Sequence, residues 1–301
     1  MRKTQGRMQG GRMVAAVLAG ALLVGACADD EGGATRTGDR PRVVAAFFPL
    51  FEAARRVGGD RAGVVNLTAA GTEPHALELT SDQVDRIEAA DVVIYLGNGF
   101  QPAVEEVARR AEGEIVDALD GAKVEDGDPH VWLDPALLGE IVERVEAALV
   151  KVDPAGKAGY AENSAAYRNE LGLLDDEFGQ RLATCERRVI VTAHSAFGYL
   201  ARRYRLTQEP IAGLAPESEP DPQRLAELAD LVKSTGTTTV FTETLVSPRV
   251  AETLAREAAV TTAVLNPLEG LSESEIAAGG SYVAVMKDNL AALTGALGCA
   301  G

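Results

Sequence analysis

Basic charge is short in this chain: 29 Lys and Arg stand against 45 Asp and Glu, a formal net charge of −16. Nucleic-acid binding needs a basic face, so that partner is excluded. Past the N-terminus no apolar run approaches the ~20 residues that cross a bilayer, so the body is expected to be soluble. No Gly-x-Ser-x-Gly elbow marks a serine nucleophile. Histidine and tryptophan are scarce as well, with three of the first and one of the second in 301 residues. What remains is conspicuous, because every histidine sits in a distinctive setting.

The N-terminus has its own logic. Arg2, Lys3, Arg7 and Arg12 precede an apolar segment from Met13 to Val24, which is too short to span a membrane and reads as a secretion signal over residues 1–26. Val24-Gly25-Ala26-Cys27 resembles a lipobox, so Cys27 is expected to become a lipidated N-terminus; an ordinary signal peptide with an incidental cysteine is the alternative. Residues 27–40, rich in Gly, Asp and Thr without apolar periodicity, read as a flexible tether with a reach on the order of 20 Å. Removing residues 1–26, which hold four basic and no acidic side chains, takes the formal charge from −16 to −20. Only Cys185 and Cys299 then remain, an even pair in a compartment where disulfides persist, and they are expected to bond to each other rather than stay free.

The mature part, roughly 275 residues, is enough for two domains of ordinary size. Short β-branched runs at 42–48, 63–68, 91–96 and 114–117 alternate with helical stretches, and the pattern repeats with runs at 187–192, 206–211, 237–241 and 261–265. Alternation of this kind predicts an α/β fold with parallel sheets and right-handed crossovers. Between the halves, residues 155–184 lack proline, and Tyr160, Ser164, Tyr167, Leu171, Leu174, Phe178 and Leu182 recur at spacings of three and four. That stripe predicts one long amphipathic helix, a rod of roughly 45 Å. The expected organisation is a first lobe over 41–153, a connecting helix over 154–184 and a second lobe over 185–301. Ligands of open parallel sheets bind beyond the carboxyl ends of the strands, which places a site in the cleft between the lobes.

All three histidines fall there. His75 follows the second strand, His130 lies in the loop before Trp132, and His194 follows the fifth strand. Each alone reads equally well as a satisfied structural residue; together they read as three imidazoles gathered at one point. Imidazole suits zinc, and three histidines with one further donor give the tetrahedral set that zinc favours.

Six motifs carry a family resemblance: EPHALELT at 73–80, DPHVWLDP at 128–135, AHSAFGYLARRY at 193–204, IAGLAPESEPDPQRLAEL at 211–228, TETLVSPRVAETLA at 242–255 and LNPLEGL at 265–271. In this order, behind a lipobox, they resemble the zinc and manganese solute-binding lipoproteins of ABC transporters across nearly the whole mature chain. The resemblance implies two Rossmann-like lobes joined by a long helix, with small lobe movement. It also implies one transition-metal ion held in the cleft, an ABC permease as partner, and an extracytoplasmic monomer tethered to the cell membrane. His75, His130 and His194 match the family's ligand positions, and histidine at the third favours Zn2+ over Mn2+. Where many members carry Leu-Asp-Pro this chain has Asn266, whose neutral amide is the poorer donor. Glu269, three residues on, ranks first as the fourth ligand, a water second, and Asn266 or Glu243 third. Glu73, Asp128, Asp134, Glu217 and Glu243 are candidate hydrogen-bond partners for the imidazoles, and Trp132, Phe197 and Phe47 are expected to pack around them. The loop 120–128 lacks a histidine-rich insertion, and its acids Glu125, Asp126 and Asp128 read as solvated.

Two other classes compete. Three histidines with an open water position also hold catalytic zinc, although no HExxH-like base is present. A receptor or adhesin that binds no metal can use the same scaffold. The expectation is a receptor, not an enzyme.

Overall fold

The computed structural model describes residues 40–300 apart from Ala122, Lys123, Glu125 and Glu219. The signal segment, Cys27 and nearly all of the tether lie outside the described residues, as does Glu125 of the 120–128 loop. Strands form where valine and isoleucine cluster: β1 (Arg42–Ala45), β2 (Gly63–Asn66), β3 (Val92–Tyr95) and β4 (Glu114–Asp117) in the first half. The second half supplies β5 (Val189–Thr192), β6 (Thr207–Pro210), β7 (Thr239–Thr242) and β8 (Thr261–Val264). Each set makes one parallel sheet, in the orders β2-β1-β3-β4 and β6-β5-β7-β8, so the two lobes repeat a single topology. In each sheet the strand order reverses between the two central, parallel strands, leaving a crevice at their carboxyl ends.

The helices follow the sequence signals closely. α1 (Phe48–Gly58) opens three residues after β1, because Pro49 occupies its first turn and ends the extended run earlier than expected. α2 (Ser81–Glu88) starts with a capping box between Thr80 and Gln83. After α3 (Pro102–Ala108), α4 (Pro135–Val152) begins at Asp134, whose carboxylate accepts the Ala136 N–H at 2.9 Å. α5 (Lys157–Leu182) is 26 residues long, about 39 Å at 1.5 Å per residue. Its buried residues are Tyr160, Ser164, Tyr167, Leu171, Leu174, Phe178 and Leu182, the stripe seen in the sequence.

α5 is not a free rod, because it packs lengthwise on α4 and also against α1. The second lobe continues with α6 (Gly198–Arg203), α7 (Pro222–Thr235) and α8 (Arg249–Ala258), then α9 (Glu273–Ala277) and α10 (Tyr282–Leu297). The short α9 has a capping box, Ser272 with Glu275. α10 lies against α5 and reaches the first lobe, where Glu52 Oε2 of α1 accepts the Tyr282 N–H at 2.8 Å. The disulfide Cys185–Cys299 ties the end of α5 to the residues after α10. One apolar core therefore runs through both lobes, with a smaller cluster between the second sheet and α7 and α8.

Candidate metal centre

The carboxyl ends of the strands deliver the four residues that converge. His75 comes from the loop after β2, His130 from the loop after β4, His194 from two residues past β5, and Glu269 from the segment after β8. Glu269 Oε1 lies 3.1 Å from His75 Nε2, 3.2 Å from His130 Nε2 and 3.1 Å from His194 Nε2. One ligand atom from each residue lies within 4.8 Å of all the others. Zinc bonds of about 2.0–2.1 Å place the corners of a tetrahedron about 3.3–3.4 Å apart, so the carboxylate–imidazole separations match that edge to within about 0.3 Å.

The rings are held from behind. Asp128 Oδ1 accepts both the His130 backbone N–H, at 3.0 Å, and a bond from Nδ1, at 2.8 Å. Glu243 does the same for His194, with the N–H at 3.1 Å and Nδ1 at 2.8 Å. Each acid fixes Nδ1 as the protonated nitrogen and turns Nε2 toward the cluster. Glu73 fixes the third loop differently, accepting the His75 and Ala76 backbone N–H groups at 3.0 and 3.3 Å. Of the other candidate partners, Asp134 caps α4 and Glu217 is an exposed loop residue.

Three readings are thereby corrected. Asp128 is the imidazole partner among its two expected roles and not the solvated acid: it is buried, because its carboxylate turns inward onto His130. Glu243 does not join the four converging donors, because its oxygens are committed to the far nitrogen of His194. Asn266 also stays outside, since Oδ1 accepts the Leu268 N–H at 2.8 Å and Nδ2 donates to Glu275 Oε1 at 2.9 Å. Its backbone pairs with the Asn289 side chain, N–H to Oδ1 at 2.8 Å and carbonyl from Nδ2 at 2.7 Å. Asn266 shapes the turn that presents Glu269.

Burial and charge act together on these groups. Burial alone would lower the His194 imidazole, but hydrogen bonds to Glu243 and Glu269 outweigh it and push its pKa up to about 10. His130 is also raised, because Asp128 and Glu269 outweigh its burial. Burial would raise Glu269, yet His130, His194 and His75 hold its carboxyl well below the usual range. When no cation is shared, the cluster therefore holds protons in its place.

Aromatic rings wall the first-lobe side. Phe47 meets Trp132 edge-on at 4.8 Å, and Trp132 lies 5.1 Å from the His130 ring. Phe197 is fully buried beside α6. Phe100, not singled out from the sequence, stands T-shaped against His75 at 4.4 Å. The turn Gly97-Asn98-Gly99 at the end of β3 was its only signal.

Comparison with known proteins finds a family and several relatives. The zinc-uptake complex component A periplasmic family matches residues 43–296. The high-affinity zinc uptake system protein ZnuA of Bacillus subtilis is 35% identical over 300 residues, covering 92% of this chain and 94% of that protein. The zinc-binding lipoprotein AdcA of Streptococcus pneumoniae is 35% identical over 296 residues, covering 91% of this chain but only 58% of AdcA. The crystal structure of the Zn(II)-bound ZnuA-like domain of that AdcA superposes with a TM-score of 0.77 at 36% identity, covering 86% of this chain and 99% of the domain.

Proposed function

The chain belongs to the zinc-uptake complex component A family, and on that premise we propose that it is an extracytoplasmic receptor that captures zinc between its lobes and delivers it to an ABC permease. The observation that carries this reading is the convergence of His75, His130, His194 and Glu269 on one point. Three neutral imidazoles and one carboxylate are a zinc-type set; manganese prefers more oxygen donors. Four protein donors also argue against a zinc hydrolase, since catalytic zinc keeps one position open for water. All four donors come from one chain, which supports action as a monomer.

The proposed anchor is a lipid on Cys27, supported by Val24-Gly25-Ala26 before it. The proposed lobe movement is small. A hydrogen bond bridges the lobes from the Tyr199 O–H to the Asp128 carbonyl, 3.2 Å, and an ion pair joins Arg203 to Asp134 at 3.2 Å. Elemental analysis of the protein as purified, followed by competition between zinc and manganese, tests the reading. One zinc per chain that excess manganese fails to displace is expected. Uptake of no zinc, or ready exchange for manganese, would overturn it.

A further inference from the structure

Glu269 belongs by sequence to the second lobe, yet its segment is fastened to the first. The Trp132 indole N–H donates to the Pro267 carbonyl at 2.8 Å in a buried setting. Gly71, in the His75 loop, donates its N–H to the Leu271 carbonyl at 2.9 Å. These two bonds bracket Glu269 on either side. The Trp132 carbonyl accepts the Tyr282 hydroxyl at 2.6 Å, so α10, where the chain resumes, grips the same residue. Between the two ties Leu268 sits at a φ of +60°, fully buried. A left-handed leucine persists only where its surroundings over-determine it. Ties to the second sheet end just upstream, where Leu265 donates its N–H to the Thr242 carbonyl at 2.9 Å.

We propose that Trp132 is a positioning residue for zinc capture: its indole N–H mounts Glu269 on the first lobe, making His75, His130 and Glu269 one three-donor platform that His194 completes from the second lobe. This inference rests on the zinc-receptor reading above. The ring alone does not explain the arrangement. Edge-on packing against Phe47 and Phe100 asks only for an aromatic ring, whereas the Pro267 carbonyl asks for a donor at the indole nitrogen.

The test is a double-mutant cycle on zinc affinity, measured by competition with a chromophoric chelator, using the mature chain as wild type, Trp132→Phe, Glu269→Gln and the double variant. Trp132→Phe is expected to weaken zinc binding about tenfold, the lower end for residues that orient metal ligands. In the Glu269→Gln background the same change is expected to have almost no effect. A tenfold loss that persists there would show that the ring merely packs the site, and an unchanged affinity in Trp132→Phe would equally overturn the proposal. If Glu269→Gln itself binds zinc like wild type, the ligand assignment fails first and takes this inference with it. Should Trp132→Phe fold poorly, Tyr282→Phe removes only the hydroxyl on the Trp132 carbonyl. A smaller loss that vanishes without Glu269 is then expected, and a loss indifferent to Glu269 refutes the proposal.

Discussion

Zinc binding by this chain should tighten with rising pH well beyond the ordinary histidine range. His194 is pushed up to about 10 and His130 is raised, each against the pull of burial, by the acids on both sides of its ring. At pH 7–9 the zinc-stripped cluster therefore retains at least one imidazolium proton that zinc must displace. Each displaced proton makes the affinity change tenfold per pH unit, about 1.4 kcal/mol. From pH 7 to 9 one such proton gives a hundredfold tightening.

The sign for the stripped protein's own stability is the opposite. A raised histidine pKa contributes stability fully below the unfolded value near 6.5, and loses it as pH rises through about 10. The depressed Glu269 contributes above the usual carboxylate range and loses it only in acid. The stripped protein should thus be most stable in mildly acidic solution, and the increment added by zinc should grow toward alkaline pH. Titration calorimetry at pH 8 in buffers of different ionisation enthalpy counts the protons released. Release of about one proton or more is expected. No release at pH 8 would mean the histidines titrate normally, and would refute the reasoning.

Glu243→Gln removes the acid behind His194 and should weaken zinc about 10- to 100-fold while flattening the alkaline pH dependence, as the same calorimetry would record. Glu269→Ala should weaken zinc more than Asn266→Ala does. Asn266→Ala should instead cost the fold about 1–3 kcal/mol in denaturant melts, because the buried Leu268 N–H loses its acceptor. Replacing Cys185 and Cys299 together by alanine opens a loop spanning 114 residues in sequence. That should cost about 4–5 kcal/mol in chemical denaturation and leave zinc affinity nearly unchanged.

The parts of this fold carried by local chemistry were legible in the sequence. The α5 stripe was readable because three-and-four spacing survives any tertiary context. The three histidines were readable because each follows a strand. Glu269 ranks first because it is the nearest acid past Asn266, its extra methylene adds reach and the family resemblance favours it, whereas the neutral amide of Asn266 is the poorer donor. The division of labour among the acids was not legible. Glu243 and His194 are 49 residues apart, and only the pairing of β5 with β7 brings them together. Asp128 read both as a solvated loop acid and as a candidate imidazole partner, because nothing local tells an inward carboxylate from an outward one. Glycine at 198 leaves it room: a Cβ there would lie 2.4 Å from Asp128 Oδ2. The docking of α10 onto α1 and Trp132 spans 230 and 150 residues, beyond any pattern in a window of sequence.

X-ray absorption at the zinc edge of the loaded mature protein tests the central claim most directly. Three imidazole nitrogens and one carboxylate oxygen, four donors at about 2.0–2.2 Å, are expected, with the oxygen shell altered in Glu269→Ala. A spectrum with fewer than three imidazoles, or one that Glu269→Ala leaves unchanged, would contradict it.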